Sequence, residues 1–126
     1  MHWVVDGNNV VGSRPDGWWN DRPAAQARLT QRVAEWCRTH DDPVTVVFDA
    51  PLPATVAELA GANLDVVESS RRGRDAADHE IVDLVAGLDA SADEVTVVTS
   101  DRGLRDRLPG WIRVWGTGRF RALVDD

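Results

Sequence analysis

Three aspartates in this chain of 126 residues each stand at or just beyond the end of an apolar run: Asp6 after Val4-Val5, Asp49 after Val46-Val47-Phe48, and Asp101 shortly after Val97-Val98. Two more, Asp75 and Asp78, are three residues apart in a stretch with helical patterning. Residues at that spacing share a helix face, with Cβ atoms about 5–6 Å apart. Carboxylates held together repel and raise one another's pKa values unless a cation neutralises them. Oxygen donors alone, with one cysteine and no histidine cluster, point to Mg²⁺ or Mn²⁺ rather than zinc. Asp6, Asp49, Asp75, Asp78 and Asp101 are therefore the expected metal ligands. Their chemistry suits phosphoryl transfer, in which divalent ions polarise the phosphate and activate water.

Taken singly, each acid has a plainer explanation. Asp6-Gly7 is a common turn pair, and Asp49 precedes a turn at Pro51. Asp75 and Asp101 suit helix N-caps, and Asp78 suits a first helical turn. It is their joint placement that favours a shared site. An acidic protein acting on phosphates needs local positive contacts. Arg71, Arg72 and Arg74 lie directly before the acidic helix, and Arg102 follows Asp101. These four are the substrate-binding candidates. Asn9, close behind Asp6, is placed to hold water beside that acid.

The elements that must position these groups follow from patterning. Trp3 to Asp6, Val44 to Asp49, Leu64 to Glu68, Glu94 to Thr99 and Trp111 to Trp115 read as strands. Their continuous apolar runs fit strands covered on both faces. Helices are expected from Pro23 to about His40, from Ala54 to Ala60, from Asp75 to about Leu88 and from Arg102 to Leu108. Proline at the first position and an apolar stripe of Leu29, Val33, Trp36 and Cys37 support the first of these. Gly7 to Asp21 reads as a polar connection carrying Trp18 and Trp19, and Phe120 to Val124 as a last short strand. The tryptophans are expected mainly to fill the core, with base stacking as the alternative for Trp18 and Trp19. Alternating strands and helices imply right-handed crossovers and an α/β fold, a three-layer sandwich around a mainly parallel sheet. Ligands of such sheets bind beyond the carboxyl ends of the strands, where Asp6, Asp49 and Asp101 fall.

The composition excludes several classes. Net charge is −7, against a protein that coats nucleic acid through a broad basic face. All 14 basic residues are arginine. Aspartyl-phosphate enzymes and receivers usually need a lysine, and a Walker loop requires one. Haloacid-dehalogenase-like phosphatases also want a second acid where this chain has Asn8. No leader and no apolar run of about 20 residues is visible, and Cys37 is alone. The expectation is one cytoplasmic domain over residues 1–126, with no membrane contact.

Four motifs in order, Asp6-Gly-Asn-Asn-Val10, Val46-Val-Phe-Asp-Ala50, Asp75-Ala-Ala-Asp-His-Glu-Ile81 and Val97-Val-Thr-Ser-Asp-Arg-Gly-Leu104, resemble the NYN domains. Within them the likeness is to the YacP-like group of the PIN-like nuclease superfamily. The resemblance implies a PIN-like α/β/α fold and a Mg²⁺- or Mn²⁺-dependent endoribonuclease leaving 5′-phosphate and 3′-hydroxyl ends. It implies Asp6, Asp78 and Asp101 as central catalytic ligands, with Asn9 beside them and Asp49 and Asp75 as outer or second-metal ligands. Asn8 stands where an aromatic is common. The superfamily also includes members that bind RNA without cutting it, and small members that form homodimers. Whether a homodimer forms here, and whether a protein regulator acts on it, is open at this level.

Overall fold

A computed structural model describes residues 1–70, 76–88 and 94–125. Five strands, β1 (His2–Asp6), β2 (Val44–Phe48), β3 (Leu64–Glu68), β4 (Val95–Val98) and β5 (Arg113–Trp115), pair in the order β3-β2-β1-β4-β5. Every pairing is parallel. The three inner strands are buried along almost their whole length, which explains their unbroken valine runs. The edges differ in kind. β3 and β5 are partly exposed and bear Asp65, Glu68 and Arg113, charges that discourage pairing with another chain.

Two helical layers cover the sheet. On one face, α1 (Gly7–Gly12), α2 (Arg22–Cys37) and α6 (Thr117–Asp125) bury Val10, Val11, Leu29, Val33, Phe120 and Val124 against Trp3, Val5, Val46 and Phe48. On the other, α4 (Ala76–Ala86) and α5 (Arg102–Asp106) bury Ala77, Ile81, Val85 and Leu104 against Val4, Val47, Val95 and Val97. Each such valine or leucine contributes about 1.5–3 kcal/mol. Strand neighbours Val4 and Val5 therefore serve opposite layers, so a one-residue slip of β1 would misplace both cores. The three-layer sandwich is as the patterning predicts. α3 (Ala54–Ala57) is a single turn beside β3.

Two stretches depart from expectation. The chain enters α1 directly at Gly7 instead of running through a polar connection. Val10 and Val11 draw it onto the sheet, where both are buried. Only the remainder of that stretch is loop, apart from a 3₁₀ turn at Trp18–Asn20. Phe120 to Val124 is helical, not a strand. Phe120 and Val124, four residues apart, fall on one helical stripe and meet the core, and Phe120 lies edge-on to Trp36 at 5.6 Å. The tryptophans also divide. Trp3 is in the core, with Trp36 and Trp115 packed edge-to-face on it at 5.2 and 4.9 Å. Trp19 and Trp111 are exposed, at 58% and 40%.

Candidate active site

The strand order reverses direction between β1 and β4: β2 and β3 lie to one side of β1, β4 and β5 to the other. Loops leaving such neighbours part company and open a crevice beyond their carboxyl ends. Asp6 ends β1 at that crevice, and Thr99 to Asp101 leave β4 opposite it. Asp49 follows β2, which flanks β1 on its other side. An open pocket of about 210 Å³ here is lined by Asp6, Asn8, Asn9, Asp49, Ala77, Asp78 and Asp101.

Asp6 is 4% exposed. Its carboxyl is raised from 3.8 to about 7, chiefly by burial, with the charges of Asp78 and Asp101 acting in the same direction. Hydrogen bonds from the Thr99 hydroxyl and the Asn9 backbone act the other way and are outweighed. Thr99 Oγ1 donates to Asp6 Oδ2 at 2.9 Å and accepts from the Asp101 N–H at 3.1 Å. One buried hydroxyl thus ties the two strand-end acids together. Asn9 Oδ1 accepts from the Ser100 N–H at 2.7 Å, pinning α1 to the β4 turn.

Asp49 uses both oxygens. Oδ2 accepts from Asn8 Nδ2 at 2.8 Å, and Oδ1 accepts from the Ala77 N–H at 2.7 Å. That N–H is among the first of α4, which have no partner within the helix. Asp49 thereby caps α4 from the sheet and fixes the turn bearing Asp78. Asp101 Oδ1 caps α5, accepting from Gly103 and Leu104 N–H at 2.8 and 3.3 Å. Its Oδ2 accepts no hydrogen bond among the described residues. The plain capping role and a place in the pocket thus coexist in one carboxylate. Gly7 is required by close approach: a Cβ there would sit 2.5 Å from Phe48 Cε1. No side chain can be added at this position without displacing the ring or the helix that starts beside Asp6.

Of the residues singled out in the sequence, Asp6, Asn9, Asp49, Asp78 and Asp101 line this pocket. Asp75, Arg71, Arg72 and Arg74 lie outside the described residues. Arg102 is exposed and lines a separate groove with Arg105, Asp106 and Ile112. Among the described residues, no three acidic, histidine or cysteine groups form a cage around one point. The sequence reading missed Asn8, Thr99 and Ser100 as the groups that organise the acids. It also missed a groove of about 340 Å³ lined by Arg14, Arg28, Arg32 and Arg121 with Asp16 and Asp125. Arg28 and Arg32, four apart on α2, were a visible signal: like charges at that spacing repel. Neither forms an ion pair among the described residues. Arg14 does, with Asp125 at 2.8 Å.

Residues 3–111 match the family described as the YacP-like NYN domain. Among solved structures, a point mutant of Rae1 (YacP) from Bacillus subtilis superimposes with a TM-score of 0.78 at 25% identity, covering 98% of this chain and 74% of that one. Rae1 itself gives 0.76 at 23% identity, with 99% and 74% coverage. The T5 D15 protein, co-crystallised with metal ions, shares the fold more distantly: TM-score 0.58, 11% identity, 94% of this chain and 55% of that one. No curated protein sequence matches.

Proposed function

Since this chain belongs to the YacP-like NYN domain family, we propose that it is an endoribonuclease whose pocket of Asp6, Asp78 and Asp101 holds Mg²⁺ or Mn²⁺ and hydrolyses RNA phosphodiester bonds. The observation that carries this reading is the pocket at the β1–β4 crevice, where a buried carboxyl faces the fields of two further acids. A carboxyl raised to about 7 is one that a cation would ionise.

The donor set fits a loosely held ion. Mg²⁺ is usually bound by one or two carboxylates, keeping several waters and taking substrate phosphate oxygens as further ligands. An open pocket with no three-acid cage is compatible with that mode. When bound, such an ion supplies charge stabilisation to the phosphate and lowers the pKa of water. The chain's own groups do the rest. Asp6 is held by Thr99, Asp78 is presented by the helix that Asp49 caps, and Asp101 lines the pocket with Oδ1 engaged in capping α5. Asn9 keeps the two sides of the crevice in register. Asp49 and Asp75 are assigned as outer ligands. On sequence grounds Arg71, Arg72, Arg74 and Arg102 are assigned to flanking phosphates. Among the described residues no helix is long and apolar enough to cross a membrane. A cytoplasmic site of action fits the single cysteine, whose burial pushes its thiol up to about 11 and leaves it unreactive.

The test is cleavage of an end-labelled RNA by purified protein with Mn²⁺ or Mg²⁺. Cutting with 5′-phosphate ends is expected, and Asp6→Asn should slow it at least ~100-fold. Equal cutting by Asp6→Asn would overturn the assignment. RNA binding without cutting would instead favour the non-catalytic RNA-binding module.

A further inference from the structure

Beside the acidic pocket lies a second cavity of about 240 Å³, lined by Asn8, Val11, Trp18, Arg22, Gln26 and Asp49. It shares Asn8 and Asp49 with the acidic pocket, and Val11 with the arginine groove. One of its polar groups is unexplained by the fold: Asn8 Oδ1 is buried and has no hydrogen-bond partner among the described residues. Gln26, only 4% exposed as a residue, lines the same cavity. The amide of Asn8 cannot simply be turned over, because its Nδ2 is needed by the Asp49 carboxylate at 2.8 Å. Leaving a buried polar group unpaired is costly, and the cost is recovered when a ligand supplies the missing partner.

The remaining lining narrows the ligand. The Arg22 guanidinium sits 5.5 Å from the centroid of the Trp18 ring, so an indole and a planar cation flank the cavity. Trp18 is itself braced edge-on by Trp19 at 5.8 Å. A flat, aromatic molecule with donors and acceptors on its edge satisfies all four side chains at once. It stacks on Trp18 or Arg22 and pairs its edge with Gln26, which offers both a donor and an acceptor, and with the Asn8 acceptor. The geometry points to a nucleobase subsite: the base of a nucleotide next to the scissile phosphate enters this cavity, and the strand continues towards Arg28 and Arg32. This rests on the ribonuclease reading for the identity of the strand, although the cavity's chemistry is independent of the acids.

The experiment measures binding of short single-stranded RNA, kept apart from cleavage by working in an Asp6→Asn background. Labelled hexamers of A, C and U are titrated against that protein and against versions carrying Trp18→Leu or Gln26→Leu. Stacking of one base is worth about 5–150-fold in affinity. Trp18→Leu, which keeps apolar packing, should therefore weaken all three at least ~5-fold. The parent should prefer one homopolymer by about tenfold, and Gln26→Leu should level that preference. Gln26→Glu, which keeps the shape but replaces the NH₂ donor, should change which homopolymer is preferred. The subsite is overturned if the parent shows no preference, if Trp18→Leu leaves the affinities unchanged, or if Gln26→Leu leaves the preference intact. Mononucleotides binding as tightly as hexamers would also overturn it, by making the occupant a free nucleotide. Base-selective binding by a wild-type protein that never cuts RNA would sink the nuclease assignment and leave the subsite standing. Normal cutting with unaltered binding by the Trp18 and Gln26 variants would do the reverse.

Discussion

The Thr99 hydroxyl stands 2.9 Å from Asp6 Oδ2, linking a residue at the mouth of β4 to one at the end of β1 across 93 positions of sequence. It also accepts the Asp101 N–H. Thr99 is fully buried. Thr99→Val keeps the shape, removes one of the hydrogen bonds to the Asp6 carboxyl and takes away the acceptor of the Asp101 N–H. A loss of about 1–3 kcal/mol is expected in denaturant unfolding, with Asp6 ionising at still higher pH. Thr99→Ser, which restores the hydroxyl, should recover most of both.

Asp6 also makes stability depend on pH. Its carboxyl ionises near 7 in the fold and near 3.8 when unexposed to that environment. The folded chain therefore binds this proton more tightly than the unfolded chain does. The contribution is fully present below about 3.8 and is lost as pH rises towards about 7. The shift corresponds to something on the order of 4 kcal/mol. In metal-free buffer, the stability of wild type relative to Asp6→Asn should fall across that window, as read by unfolding of both proteins at several pH values. A flat difference would refute the buried-carboxyl account.

Divalent ions should reverse this. On the proposed metal assignment, Mn²⁺ would relieve repulsion among the acids only in the folded state and should raise the melting temperature in a concentration-dependent way. The gain should be larger at pH 8 than at pH 6, because binding must displace the Asp6 proton. Asp78→Asn should shrink it. Differential scanning fluorimetry with and without Mn²⁺ makes the comparison.

Asp49 is expected to act chiefly through α4. Asp49→Ala removes the acceptor of the Ala77 N–H and of the Asn8 amide. A cost of about 1–2 kcal/mol is expected, in the range of a lost helix cap. Amide exchange at the start of α4 should accelerate more than exchange in β1. Uniform acceleration would mean that Asp49 does not position that helix.

Gly7→Ala should be disproportionately damaging. The new methyl would lie 2.5 Å from Phe48 Cε1, and overpacking of this kind costs about 1–3 kcal/mol. Combining it with Phe48→Leu, which frees that space, should be less harmful than the sum of the two. A double-mutant cycle in thermal unfolding checks the coupling.

Much of this site was legible because strand-end acids depend on one-dimensional signals: a buried run, then a carboxylate. Asp6, Asp49 and Asp101 could be placed at one sheet edge from the α/β alternation alone. The connection after Asp6 was harder. Asp-Gly-Asn-Asn has turn chemistry, and only the packing of Val10 and Val11 makes it the first turn of a helix. Phe120 to Val124 was ambiguous for a similar reason, since five residues cannot establish a period. The bracing by Asn8, Thr99 and Ser100 left no sequence signature, because small polar residues acquire such roles only through contacts across the fold. The arginine groove draws on α2, α6 and the loop after α1, which no local pattern could unite.

The central position of β1 has a further consequence during synthesis. The first wall of the pocket emerges with Asp6 to Asn9, but the hydroxyl and acid that complete it emerge some 93 residues later. At about 5–20 residues per second, that is a delay of roughly 5–20 s on the ribosome. A fragment ending before β4 has Asp6 with no Thr99 to hold it and no Asp101 opposite it. Such a fragment lacks half of the crevice, so the proposed RNA-cutting pocket is assembled only after β4 and the turn that follows it have been made.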